Sequence, residues 1–233
     1  HATPEEDALE RSVRQSMSNQ QIKPMEAESW ALVSDGFRYP QVGELLKWLT
    51  GPLLSSVALT EKALGIETGT SSEHGEKLLA LTASILQVKV PEVRVSSRFP
   101  RVGIGHLDIP VALIHPDVGT HSRAEQLFSA VRTLFLMDHR HYLATIDTDL
   151  GKRVSRLKSL LATIHQWLMP YRAQPGCIPE LLGILNASGG HERDICLELL
   201  APLLSVKDYG IAEWLRSVER SANRIALTIS DDL

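Results

Sequence analysis

Nine histidines stand in this 233-residue chain, and His106, His115, His121, His139 and His141 cluster in its central stretch with Asp138, Asp147 and Asp149. Imidazole and carboxylate are ligands that zinc takes, three or four of them converging at about 2 Å. A metal-dependent hydrolase centred on a His/Asp cluster in 106–149, with His115, His121, His139 and His141 as ligands, is one function these residue types allow. Their spacing argues against it. In His139-Arg140-His141 the rings lie two positions apart, and on a helix such positions point about 200° from one another. Only an extended segment brings them to one side, and this segment joins two helical patterns. A polar helix–helix corner, with no metal and no cofactor, is the expectation.

Other chemistry-bearing patterns are incomplete. Lys152, Arg153, Arg156 and Lys158 form a basic run, but no aromatics interleave it and the net charge is −4. A solvated helix face is expected, with no nucleic acid partner. No phosphate-cradling glycine loop, nucleophile elbow or activated cysteine occurs. Gly103 and Gly105 precede His106-Leu107-Asp108 rather than a helix start, and read as a turn. Cys177 and Cys196 read as two small buried thiols, which fits reducing cytoplasm. No apolar run reaches the 18 or so residues of a membrane span, so no membrane insertion is expected. The start, HATPEEDALE, lacks the layout of a signal peptide. His1 is not Met, and the natural chain is expected to extend further.

The elements that must position these residues are mostly helical. Hydrophobic residues make up 43% and aromatics only 5%, so Leu, Val, Ile and Ala must build the core. Helices are expected over 4–18 and 26–33. From Tyr39 to Leu64 apolar residues recur at three- and four-residue steps, broken by Gly51-Pro52, so two helices or one kinked helix are expected there. Residues 65–75 read as a flexible polar linker with a solvated His74. Helix returns over 76–88. Val93 and Val95 mark a short strand, and Val111 to Ile114 a second, continuously apolar one. Thr120 or Ser122 opens the next helix, Ser122 with Glu125 at capping-box spacing. Helices over 150–169, 177–185 and 191–204 follow. In the last, from about Asp208 to Ile229, the positions Ile211, Leu215, Val218, Ala222, Ile225 and Ile229 step by four and three without a fault. The fold class is mainly α (α+β), a helical domain with a small sheet of short strands near residues 92–115. Its organisation reads as an N-terminal helical segment (1–64), the linker (65–75) and a core (76–233), or as one domain overall.

The order of parts from 76 to 233 resembles the soluble core of the HtpX/CAAX-protease type of zincin metallopeptidase. Pro91-Glu-Val-Arg-Val matches that family's Pro-x-Val-x-Val segment, Pro110 to Pro116 its strand, and Glu125 its acidic helical residue. The family's His-Glu-x-x-His motif begins seven residues further on, where this chain reads Arg132-Thr133-Leu134-Phe135-Leu136. The resemblance thus implies that Arg132 and Leu136 replace both histidine ligands and Thr133 the catalytic Glu. Glu219-Arg-Ser-Ala-Asn-Arg is similar to the motif of the third ligand, with Asn223 for its Asp. One ligand of three would survive, so the resemblance implies a degenerate, zincin-like pseudoenzyme of bacterial type. It also implies a larger chain or assembly, with tetratricopeptide-repeat regions or self-association as its interactions.

Two expectations follow. No catalytic residue is assigned, and the leading function is a non-catalytic protein-interaction or scaffold domain, a pseudo-metallopeptidase. If the family fold is shared, Arg132 and Glu219 replace the metal centre with an ion pair or with a polar network that includes Asn223.

Overall fold

The computed structural model of the chain describes residues 38–231, apart from 68, 100, 148, 188 and 189. The helices expected over 4–18 and 26–33 lie outside the described residues. Helix α1 (Pro40–Val57) opens with proline at its first position, where a missing amide hydrogen costs nothing, and it continues through Gly51-Pro52. The short α2 (Glu61–Leu64) follows, so the expected break falls at 58–60 rather than at Pro52. Then come α3 (Glu73–Leu86), β1 (Glu92–Val95), β2 (Val102–His106), β3 (Pro110–Ile114) and α4 (Arg123–Leu136). The chain closes with α5 (Leu150–Leu168), α6 (Pro179–Asn186), α7 (Gly190–Leu200) and α8 (Ile211–Asp231). Short 3-10 turns link several of them, among them Pro116–Thr120, Tyr142–Thr145 and Lys207–Gly210. The fold is mainly α with one small mixed sheet, the class that the sequence indicates.

The sheet order is β1-β3-β2, with β1 parallel and β2 antiparallel to β3. Central β3 is buried on both faces, which is why its sequence is continuously apolar. Ala112 and Ile114 join the main core, while Val111 and Leu113 join a smaller cluster with Leu64, Ile66, Phe99 and Leu107. The expected turn at Gly103 and Gly105 is instead strand β2. Gly103 is needed there because a Cβ would lie 2.6 Å from the Phe99 ring, which covers that face.

The 65–75 stretch does not separate two cores. Val42, Leu45, Leu46 and Leu49 of α1 belong to the same apolar cluster as the buried faces of α4, α5 and α8. The Ser96 hydroxyl donates to the Leu64 carbonyl at 2.6 Å, and Ile66 bridges to Ser96, so the start of the stretch is tied to the sheet. Residues 73–75 already belong to α3, and the expected solvated His74 reaches Gln126 of α4 at 2.7 Å.

Helices α4 and α8 pack along most of their lengths. The faultless stripe of α8 is buried from Ile211 to Ile229, and α4 presents Leu127, Ala130, Val131, Leu134 and Phe135. Burying each large side chain stabilises by about 1.5–3 kcal/mol. Truncating fully buried Ile225 to alanine would cost about 2–5 kcal/mol once the cavity is counted. The start of α4 is set by the expected capping box: the Ser122 hydroxyl accepts the Glu125 amide, and the Glu125 carboxylate accepts the Ser122 amide.

Candidate functional site: a cleft beside the edge strand

β2 is one of the two outer strands of the sheet, and α4 runs beside it. Between them lies a cleft of about 300 Å³, walled by Val102, Gly103, Ile104 and His106 of β2 and by Arg132, Thr133 and Leu136 of α4. Val218 and Glu219 of α8, Arg153 of α5, and Ala144, Thr145 and Asp147 complete it. The three residues at the ligand and catalytic positions of the zincin resemblance, Arg132, Thr133 and Leu136, therefore share one cavity with Glu219 from a helix distant in sequence. Asn223 stands one turn beyond Glu219 on α8.

Arg132 does not pair with Glu219. Its Nε donates to the Asn223 Oδ1 at 3.0 Å, while Glu219 accepts from Arg153 Nη1 at 2.7 Å. Arg153 Nη1 also reaches the Ala144 carbonyl at 3.2 Å. Arg153 thus leaves the solvated basic face to which its sequence neighbours assign it, and only 16% of its side chain is exposed. Its Nε is buried without an acceptor among the described residues. Asp147 is met by Arg156 at 3.2 Å.

The cleft residues do not fit a zinc ion. Arg132 is a cation, Leu136 has no donor atom, and the Thr133 hydroxyl donates to the Val102 carbonyl at 3.3 Å. At the positions of the resemblance Glu219 alone is of ligand type, and it is engaged by Arg153, while His106 and Asp147 of the same cleft are engaged by Tyr142 and Arg156. Zinc needs three or four such groups.

His106, on the inner side of the cleft wall, is not a free base. Its Nδ1 meets the Tyr142 hydroxyl at 2.7 Å and its ring also hydrogen-bonds the Thr145 backbone. Burial pushes the imidazole below its ordinary value, although the Thr145 bond pulls the other way. Burial also pushes the Tyr142 phenol up. A neutral imidazole bonded on one side to an uncharged phenol braces the wall.

The four candidate metal ligands are not brought into one set. His115 and His121 flank the 3-10 turn before α4, and His115 Nδ1 accepts the Asp117 amide at 3.1 Å. His139 and His141 lie past its far end. A helix of 14 residues separates the pairs by about 20 Å. His141 stacks on Phe135 with ring centroids 4.7 Å apart, and its Nδ1 lies 3.2 Å from the Phe135 carbonyl. The His139 carbonyl accepts from Thr50. The corner between them is organised by Asp138, which accepts the Arg140 amide at 2.8 Å and its guanidinium at 2.9 Å. Burial would raise the Asp138 carboxyl, but the bonds from Arg140 outweigh it and hold the group down at about 2. Among the described residues, no three His, Cys, Asp or Glu side chains are grouped to hold a metal ion.

Sequence reasoning missed Arg153, His106 and Asp147 as members of this cleft. A signal existed for Arg153, which stands one turn before Leu157 and two before Leu160, on the margin of the buried stripe of α5. No helix among the described residues is long and apolar enough to cross a membrane. Comparison with protein-family models, with curated proteins and with solved structures finds no match for this chain.

Proposed function

We propose that this chain is a non-catalytic protein-interaction domain, a pseudo-metallopeptidase, that seats an extended segment of a partner polypeptide against the outer edge of β2. The observation that carries this reading is the edge itself. The Arg101 carbonyl bonds the His115 amide across the ladder, so by antiparallel alternation Gly103 and Gly105 face β3 while Val102, Ile104 and His106 turn outward. The Val102 carbonyl is taken by Thr133 and the His106 carbonyl by the Leu59 amide. Between them the amide and carbonyl of Ile104 have no partner among the described residues, and they border the cleft. A peptide strand satisfies such a pair by adding to the sheet, its main chain supplying affinity and the cleft its selectivity.

The degenerate-zincin reading is supported by the meeting of Arg132, Thr133, Leu136 and Glu219, a set that lacks imidazole. Two free cysteines fit the cytoplasmic location that belongs to this reading.

Selection of a displayed random octapeptide library on the purified protein tests the proposal. Peptides from the enriched pool are expected to slow exchange of the Ile104 amide at least about tenfold, the mark of a newly made ladder bond. They should also lose binding to Ile104→Pro, which removes that outward amide without touching the pairing to β3. An empty selection, or binders that leave the Ile104 amide unchanged, would overturn the strand-addition reading. Stoichiometric zinc or iron in the purified protein would end the non-catalytic one.

A further inference from the structure

From the charges around the cleft we infer that the segment it accepts carries an acidic side chain, and that Arg132 is the residue that reads it. This rests on the strand-addition reading above and specifies the partner's chemistry. Arg153 is neutralised by Glu219 at 2.7 Å, and Arg156 by Asp147 at 3.2 Å. Arg132 has no carboxylate partner among the described residues. Its only described partner is Asn223, a neutral amide that holds Nε at 3.0 Å and leaves both terminal nitrogens without an acceptor among the described residues. The arrangement orients a guanidinium without cancelling its charge. The buried Nε of Arg153, also without an acceptor among the described residues, is a second sign that donors outnumber acceptors here.

A planar fork with two unused N–H groups matches a carboxylate, which can accept both in parallel. A phosphate dianion suits the site less well, because Glu219 and Asp147 line the same cleft and one uncompensated cation balances one negative charge. Side chains of an added strand alternate between faces, so a single position of the peptide can be directed at Arg132. Asp or Glu at that fixed position, with tolerance elsewhere, is the pattern this geometry selects.

The same octapeptide selection provides the test. Enriched peptides are expected to share Asp or Glu at one position. On the parent protein, replacing that residue by Asn or Gln should weaken binding about ten- to hundredfold, the usual range for a charge-assisted hydrogen bond. With Arg132→Met the acidic and amide peptides should bind alike, while the Ile104 amide is still protected by both. The comparison on the parent protein needs no variant, so it stands even if Arg132→Met folds poorly. Binders that protect Ile104 but show no acidic preference would overturn this inference and leave the strand-addition reading intact. A preference that survives in Arg132→Met would assign it to another residue and also overturn the inference. An empty selection would overturn both.

Discussion

Two histidine–tyrosine pairs brace this molecule, and they stand on very different backbones. In the cleft wall, His106 of β2 meets the fully buried Tyr142 at 2.7 Å, both residues on ordinary strand and 3-10 geometry. At the opposite end of α5's environment, His165 meets Tyr209 at 3.0 Å, but Tyr209 sits within three successive left-handed residues. Asp208, Tyr209 and Gly210 have φ of 52°, 56° and 71°. Only the last of these is glycine, and non-glycine residues in that region are strained by roughly 1–2 kcal/mol each. The same ring-to-phenol bond thus serves two ends: in one place it satisfies buried polar atoms, in the other it helps hold a turn that the backbone resists. Lys158, paired to Asp208 at 2.7 Å, assists the second.

Gly210→Ala separates the two regions most sharply. A Cβ there would lie 2.3 Å from the Tyr39 ring on a left-handed backbone, so strain and overpacking together should cost about 2–4 kcal/mol in urea unfolding. A cost below about 1 kcal/mol would show that the turn is looser than its geometry implies. Tyr142→Phe comes next. It removes the hydroxyl from His106 Nδ1 at a buried site and should cost about 1–3 kcal/mol, whereas Tyr209→Phe, at a half-buried site, should cost less. Equal losses would erase the distinction.

Acidification is the third comparison. Burial pushes His106, His141 and His165 below the ordinary 6.5. Below that value the unfolded chain binds protons that the folded chain resists, so stability is full above about pH 6.5 and is lost as pH falls towards the depressed folded values. His106→Gln should flatten this decline, measured as unfolding free energy between pH 7 and 5, and a slope unchanged in the variant would discount the cleft histidine. The smallest effect is expected of Asp208→Gly. Relief of the left-handed strain opposes the loss of an exposed ion pair and the added freedom of the unfolded chain, leaving the urea midpoint close to that of the parent.

What could be read from residues alone follows the same divide between regular and irregular backbone. Helix α8 announced itself because six apolar positions repeat at helical spacing, and α4 because Ser122 and Glu125 stand three apart. β2 escaped because Val-Gly-Ile-Gly-His carries no side chain at alternate positions, which leaves the period of two invisible. The left-handed turn escaped too: Lys-Asp-Tyr-Gly reads as a helix start at Asp208, whereas α8 begins at Ile211. At the cleft, the resemblance groups Arg132, Glu219 and Asn223 but does not choose their partners. Glu219 and Asn223 are one turn apart on the same face of α8, and the choice is settled by Arg153, which arrives from a third helix.

The serine at the head of α4 has a consequence that reaches far down the rod. Each residue turns an α-helix by about 100°, and the Ser122 cap fixes the angle from which that rotation is counted. One residue deleted between 123 and 131 would swing the guanidinium of Arg132 and the methyls of Leu136 a quarter-turn or more away from the sheet together. The aperture would lose both its charge and its floor in a single step, though no residue lining it had been altered.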